Sequence, residues 1–97
     1  MRPTPWHQRT AGVIYHEALP VALATVRTIN MHGAYVKGAL AFLHGNPIDL
    51  ELRLPQRAPI VLRGTVTRVD GRGGRIEFAE NGQTRAALGE LLHAVRH

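Results

Sequence analysis

The sequence predicts a mostly β fold: a small antiparallel barrel of five or six strands, followed by one C-terminal amphipathic helix. Three observations lead there. Residues 48–54, Ile-Asp-Leu-Glu-Leu-Arg-Leu, alternate apolar and polar side chains without a fault, which is the period of a half-buried strand. Residues 60–69 and 75–80 are two further β-rich runs joined by Asp-Gly-Arg-Gly-Gly, the composition of a hairpin turn. Near the C-terminus the period changes, and Leu88, Leu91, Leu92 and Val95 recur at i, i+3, i+4 and i+7. A sheet this small tends to curl closed, because closure removes exposed strand edges.

Taken in order, residues 1–10 carry Pro3 and Pro5 around Arg2, Trp6 and Arg9, and prolines bias such a segment towards an extended arm. Residues 12–17 are β-branched and aromatic and form a first strand, with a turn expected at 18–20. Residues 21–29 place Val21, Leu23 and Ile29 on one side and Ala22, Ala24 and Val26 on the other. Both sides are apolar, so this strand is expected to be covered or central. A polar interruption at 30–33 precedes a strand at 34–38. Residues 39–47 read equally as a short helical turn or as an extended link ending in Gly-Asn-Pro.

After the alternating strand, prolines at 55 and 59 break the chain. The next strand puts Ile60, Leu62 and Val66 inward and Arg63, Thr65 and Thr67 outward, with a bend or bulge expected at Gly64. The strand at 75–80 points Ile76 and Phe78 inward. Asn81 or Thr84 is placed to cap the helix. The organisation is therefore a single domain: an arm at 1–10, a barrel at 11–80 and a helix at 82–96.

With 97 residues the chain closes one modest core, and 44% hydrophobic residues suffice for a packed globule. No apolar run approaches the roughly 18 residues that span a bilayer, so no membrane insertion is expected. The first ten residues lack the apolar stretch of a secretory signal. Cysteine is absent, which leaves no disulfide and no thiol ligand. The expectation is a soluble cytoplasmic protein.

The formal net charge is +5, and Lys37 is the one lysine beside eleven arginines. Arginine grips phosphate bidentately and stacks on flat rings, so the bias suits nucleotide or nucleic-acid recognition. The same bias also follows from G+C-rich coding. Enzymatic constellations are missing. Serine and cysteine are both absent, so neither a serine nor a cysteine triad can be built. The six histidines are scattered, and only His93 and His97 share a helical spacing. Asp49 and Glu51 fall on the polar side of their strand. The glycines at 71–74 connect strand to strand and lack the Lys-Ser/Thr of a phosphate loop. The reading is non-catalytic, with no metal and no resident cofactor.

One stretch carries more. Thr28-Ile29-Asn30-Met31-His32-Gly33, followed by Ala34-Tyr35-Val36, leads a strand into a compact polar turn and out again. With the amphipathic strand at 48–54, the long strand at 60–69 with its central Gly64, and the closing strand at 75–80, it resembles the PilZ domain. PilZ domains are small bacterial β-barrels with a C-terminal helix that commonly bind cyclic di-GMP. The resemblance runs from about Arg9 to the terminal helix. It implies a regulatory module in cyclic di-GMP signalling, acting in motility, pilus or biofilm control.

In that family an Arg-x-x-x-Arg arm and an (Asp/Asn)-x-Ser-x-x-Gly turn hold the ligand. The resemblance therefore assigns binding to Arg2, Arg9, Thr28, Asn30 and Gly33. The departures are plain: Pro5 stands at the first arginine position, Thr28 replaces the acid or amide, and Asn30 replaces the serine. Family members with altered motifs act through protein partners, which makes a ligand-free adaptor the first alternative. A small nucleic-acid-binding barrel is the second, although it would need aromatic rings on a strand face to stack bases.

Overall fold

The computed structural model describes residues 10–95, and Arg2, Trp6 and Arg9 lie outside them. Six strands follow in order: β1 (Thr10–His16), β2 (Leu19–Ile29), β3 (Gly33–Lys37), β4 (Pro47–Arg53), β5 (Ile60–Val69) and β6 (Gly73–Phe78). They close a barrel in the spatial order β1-β2-β3-β6-β5-β4, with every pairing antiparallel. The barrel is thus two three-stranded meanders, β1-β2-β3 and β4-β5-β6, joined along two seams, β3–β6 and β1–β4. Both seams run without a register shift. The shifts lie inside the meanders, where Val21, Arg27 and Thr67 are left without a partner in the register.

The interior is filled rather than hollow. Ile14, Val26, Val36, Leu50, Leu52, Leu62, Val66 and Ile76 are fully buried, each strand contributing alternate residues. The alternation in β4 is the one the sequence displays, with Ile48, Leu50 and Leu52 inside. In β2 the two apolar sides part company: Ala24 and Val26 are buried, whereas Leu23 is 78% exposed on the outer wall. That strand is paired on both sides but covered on only one.

The link at 39–47 contains a 3-10 turn over Ala41–Leu43, and Leu40 and Leu43 plug the barrel beside it. A helix, α1 (Gly82–Val95), follows β6 and packs against β5. Its cap is Asn81, whose Oδ1 accepts the Thr84 N–H at 2.8 Å. Thr84 is instead buried, with its Oγ1 accepting the Arg63 N–H at 3.4 Å. Leu88 and Leu91 form the buried face of the helix. No helix among the described residues is long and apolar enough to cross a membrane.

Three local expectations shift by a few residues. The first turn is Glu17-Ala18, both with positive φ (53° and 68°), so β2 begins at Leu19 and includes Pro20. Pro20 has no N–H to donate, and it sits beside the bulge at Val21, where the ladder is already broken. In β5 the bulge falls at Thr67 rather than Gly64. Gly64 serves close approach: a Cβ there would lie 2.5 Å from the Glu77 carbonyl oxygen and 2.7 Å from Ile76 Cγ2. Strand β1 also starts one residue earlier than the barrel was expected to, at Thr10.

Candidate functional site

The polar interruption at 30–33 is the hairpin turn between β2 and β3. Asn30 closes it. Its Oδ1 accepts the backbone N–H groups of His32 (2.8 Å) and Gly33 (3.1 Å), while its own N–H donates to the Gly33 carbonyl (3.0 Å). The side-chain oxygen is consumed by the turn itself, so what Asn30 presents to solvent is its amide NH2, a donor of two hydrogen bonds. On the other side the Phe78 N–H donates to the His32 carbonyl at 2.9 Å, which extends the β6 pairing into the turn.

Gly33 is required for a different reason from the left-handed φ its sequence context suggests. It is not among the positive-φ glycines, which are Gly38 and Gly45. A Cβ at Gly33 would collide with the carbonyl oxygen of Ile76 across the β3–β6 seam. It would also stand 3.1 Å from a terminal nitrogen of Arg75 and 3.4 Å from the centre of its guanidinium. The missing side chain therefore lets two things approach the turn: the β6 backbone and the Arg75 cation.

The register places the other groups. Thr28 pairs with Tyr35, Tyr35 with Arg75, and Arg75 with Arg68, one outward-facing line across β2, β3, β6 and β5. Thr28 is exposed, and its hydroxyl makes no hydrogen bond among the described residues. The Tyr35 hydroxyl donates to the Asp70 carboxylate at 3.0–3.1 Å. Asp70 Oδ1 also accepts the Arg72 and Gly73 N–H groups at 2.7 and 2.9 Å, which caps the β5–β6 turn. Those two backbone bonds, then the phenol, hold the Asp70 carboxyl below its ordinary value. Partial desolvation, then the bond to Asp70, holds the Tyr35 phenol above its own.

Two clefts flank Arg75. The smaller, about 430 Å³, is lined by Met31 and His32 of the turn, by Arg75, Glu77 and Glu80, and by Arg85 and Leu88 of α1. The larger, about 620 Å³, opens at the β5 bulge between Tyr35, His44, Arg68, Asp70 and Arg75. Among the described residues, no group of three or more His, Cys, Asp or Glu is placed to hold a metal ion.

Of the five residues the resemblance assigns, the structure brings together Thr28, Asn30 and Gly33; Arg2 and Arg9 fall outside the described residues. Arg75 is a candidate site residue that sequence reasoning missed. Strand alternation turns it outward, but only the β3–β6 seam sets it beside Gly33. No protein-family profile matches the chain, and comparisons with curated proteins and with solved structures returned no match.

Proposed function

We propose that the chain is a non-catalytic, PilZ-like regulatory module that binds cyclic di-GMP at the β2–β3 turn and passes the signal on through protein contacts. The observation that carries the reading is the Arg75 guanidinium lying over Gly33, between a turn that presents free donors and a cleft of about 430 Å³. A guanidinium can take a phosphate oxygen pair or the acceptor edge of guanine. The exposed Thr28 hydroxyl and the Asn30 amide add neutral donors beside it. This supplies at the turn a cation that does not depend on Arg2 or Arg9.

Calorimetric titration with cyclic di-GMP to high micromolar concentration tests the reading. Binding is expected in the wild-type chain. Loss of one bidentate arginine contact is worth about 1–3 kcal/mol, so Arg75→Ala should weaken it roughly 5- to 150-fold. An Arg9→Ala variant in the same series measures what the arm adds. No heat in the wild type would sink direct sensing.

The adaptor reading has an observation of its own. Leu23 pairs with Val13, Val13 with Glu51, and Glu51 with Val61, a line on the opposite wall where Leu23 and Val61 are 78% and 51% exposed. The nucleic-acid reading gains less. On the basic line Tyr35 is the single aromatic ring, and its hydroxyl is tied to Asp70.

A further inference from the structure

We propose that Arg68 and Arg75 form a site for the phosphate groups of a nucleotide-sized ligand in the larger cleft, at the β5 bulge. The inference does not require that ligand to be cyclic di-GMP, and it concerns the cleft on the other side of Arg75 from the β2–β3 turn, the two clefts sharing that residue.

The first argument is a cost left standing. Arg68 and Arg75 are register partners on β5 and β6, and like charges directly opposite one another destabilise a sheet. Neither forms an ion pair among the described residues. The pairs that do form, Arg53–Glu51 at 2.9 Å and Arg63–Asp49 at 3.2 Å, belong to the outer wall of β4 and β5. Glu77, two residues from Arg75 on the outward face of β6, forms no ion pair with either guanidinium, and Asp70, two residues from Arg68, is occupied by two backbone N–H groups and the Tyr35 hydroxyl. It is fixed as the cap of its own turn rather than as a partner for either guanidinium.

The second argument is shape. The bulge at Thr67 interrupts the β5–β6 ladder beside the two arginines. The His44 ring crosses to the Thr67 carbonyl at 3.2 Å, a contact in which Nε2 carries the proton and donates. Val69 and Gly74 add uncharged lining, and the one carboxylate in the lining, Asp70, is turned to its own backbone N–H bonds and to Tyr35. A volume of about 620 Å³ lies within the range of about 300–1,000 Å³ usual for small-molecule sites, far more than one inorganic ion needs. Two guanidiniums supply forked donors matched to phosphate oxygens, and the remaining space takes the organic part of the ligand.

Thermal melts with and without inorganic pyrophosphate, at matched ionic strength, read out the site. A ligand bound only by the folded chain raises Tm by about 3–6 °C at a few times its dissociation constant. Wild type is expected to show this rise. Arg68→Gln should lose it while melting no lower than wild type without pyrophosphate, because the like-charge pair is gone. Arg57→Gln, with the same net charge, should keep the rise. An equal rise in Arg68→Gln and wild type would overturn the proposal, as would amide shifts on titration that avoid residues 67–69 and 74–75. Calorimetry of Arg68→Gln with cyclic di-GMP separates the two sites: retained binding there alongside a lost pyrophosphate effect means that they are distinct. If wild type gives no cyclic di-GMP heat but keeps its pyrophosphate rise, only the turn reading fails.

Discussion

The two outer walls of the barrel invite direct comparison, because each is a single register line that crosses one seam. The line Leu23–Val13–Glu51–Val61 crosses β1–β4, and the line Thr28–Tyr35–Arg75–Arg68 crosses β3–β6. On the first, three of four residues are apolar and the one charge is neutralised in place. Glu51 Oε1 accepts from Arg53 at 2.9 Å and from the Tyr15 hydroxyl at 3.5 Å. On the second, no residue is apolar and the two cations face each other without an acid between them. Since inward residues alone fill the core, neither wall is dictated by folding. One is sticky and electrically quiet, the other wet and charged, and it is on the second that we propose a small anionic ligand is held, between the β3–β6 seam and the β5–β6 pair.

The largest effect should come from a change that both walls share. Leu62 is fully buried on β5, the strand on which both lines end. Leu62→Ala leaves a cavity inside the barrel and should cost about 2–5 kcal/mol in urea unfolding. A loss below about 1 kcal/mol would mean that the interior is not packed as described. Gly33→Ala is more selective, because it drives a methyl group into the Ile76 carbonyl at the β3–β6 seam only. It should cost about 1–3 kcal/mol, against about ±0.5 kcal/mol for Gly71→Ala, where an added Cβ meets nothing within 4 Å. Equal effects of the two alanines would erase the special standing of that seam.

The smallest effect is electrostatic and confined to the charged wall. The Asp70 carboxyl titrates lower in the folded chain than in the unfolded one. Its stabilisation is therefore present above the unfolded value, near pH 4, and is lost as pH falls through the depressed folded value. Tyr35 works at the other end. Its raised folded value means that the contribution is whole below about pH 10 and is lost as pH rises through it. Melting curves between pH 5 and 2 should fall more steeply for wild type than for Asp70→Asn. Parallel curves would show that the Asp70 cap contributes nothing to stability.

Much of the architecture was legible because it is local. The alternation at 48–54 and the changed period near the C-terminus report β4 and α1 directly, and the polar tetrad at 30–33 reports its turn. What escaped depends on pairings that no local window contains. Arg75 reads as one more outward arginine until β6 is laid against β3, which joins Gly33 to Glu77. Gly64 and Gly33 invite a conformational explanation from sequence, yet both answer to a neighbouring strand pressed against them. Residues 39–47 have no clean period because Leu40 and Leu43 serve as a plug rather than as one face of an element.

The division into two meanders also bears on how fast the barrel can assemble. Within each meander, successive strands are joined by short connections and can zip from their turns. The seams instead join partners such as Ala11 with Arg53 and Gly33 with Glu77, so closing them means shutting long chain loops before any reward arrives. Topologies dominated by such distant pairings fold in milliseconds to seconds rather than microseconds. Until both seams close, each meander exposes two unpaired edges. The opposed arginines belong to β5 and β6 within one meander, so their repulsion is met when that hairpin zips, before the β3–β6 seam sets Arg75 against Tyr35.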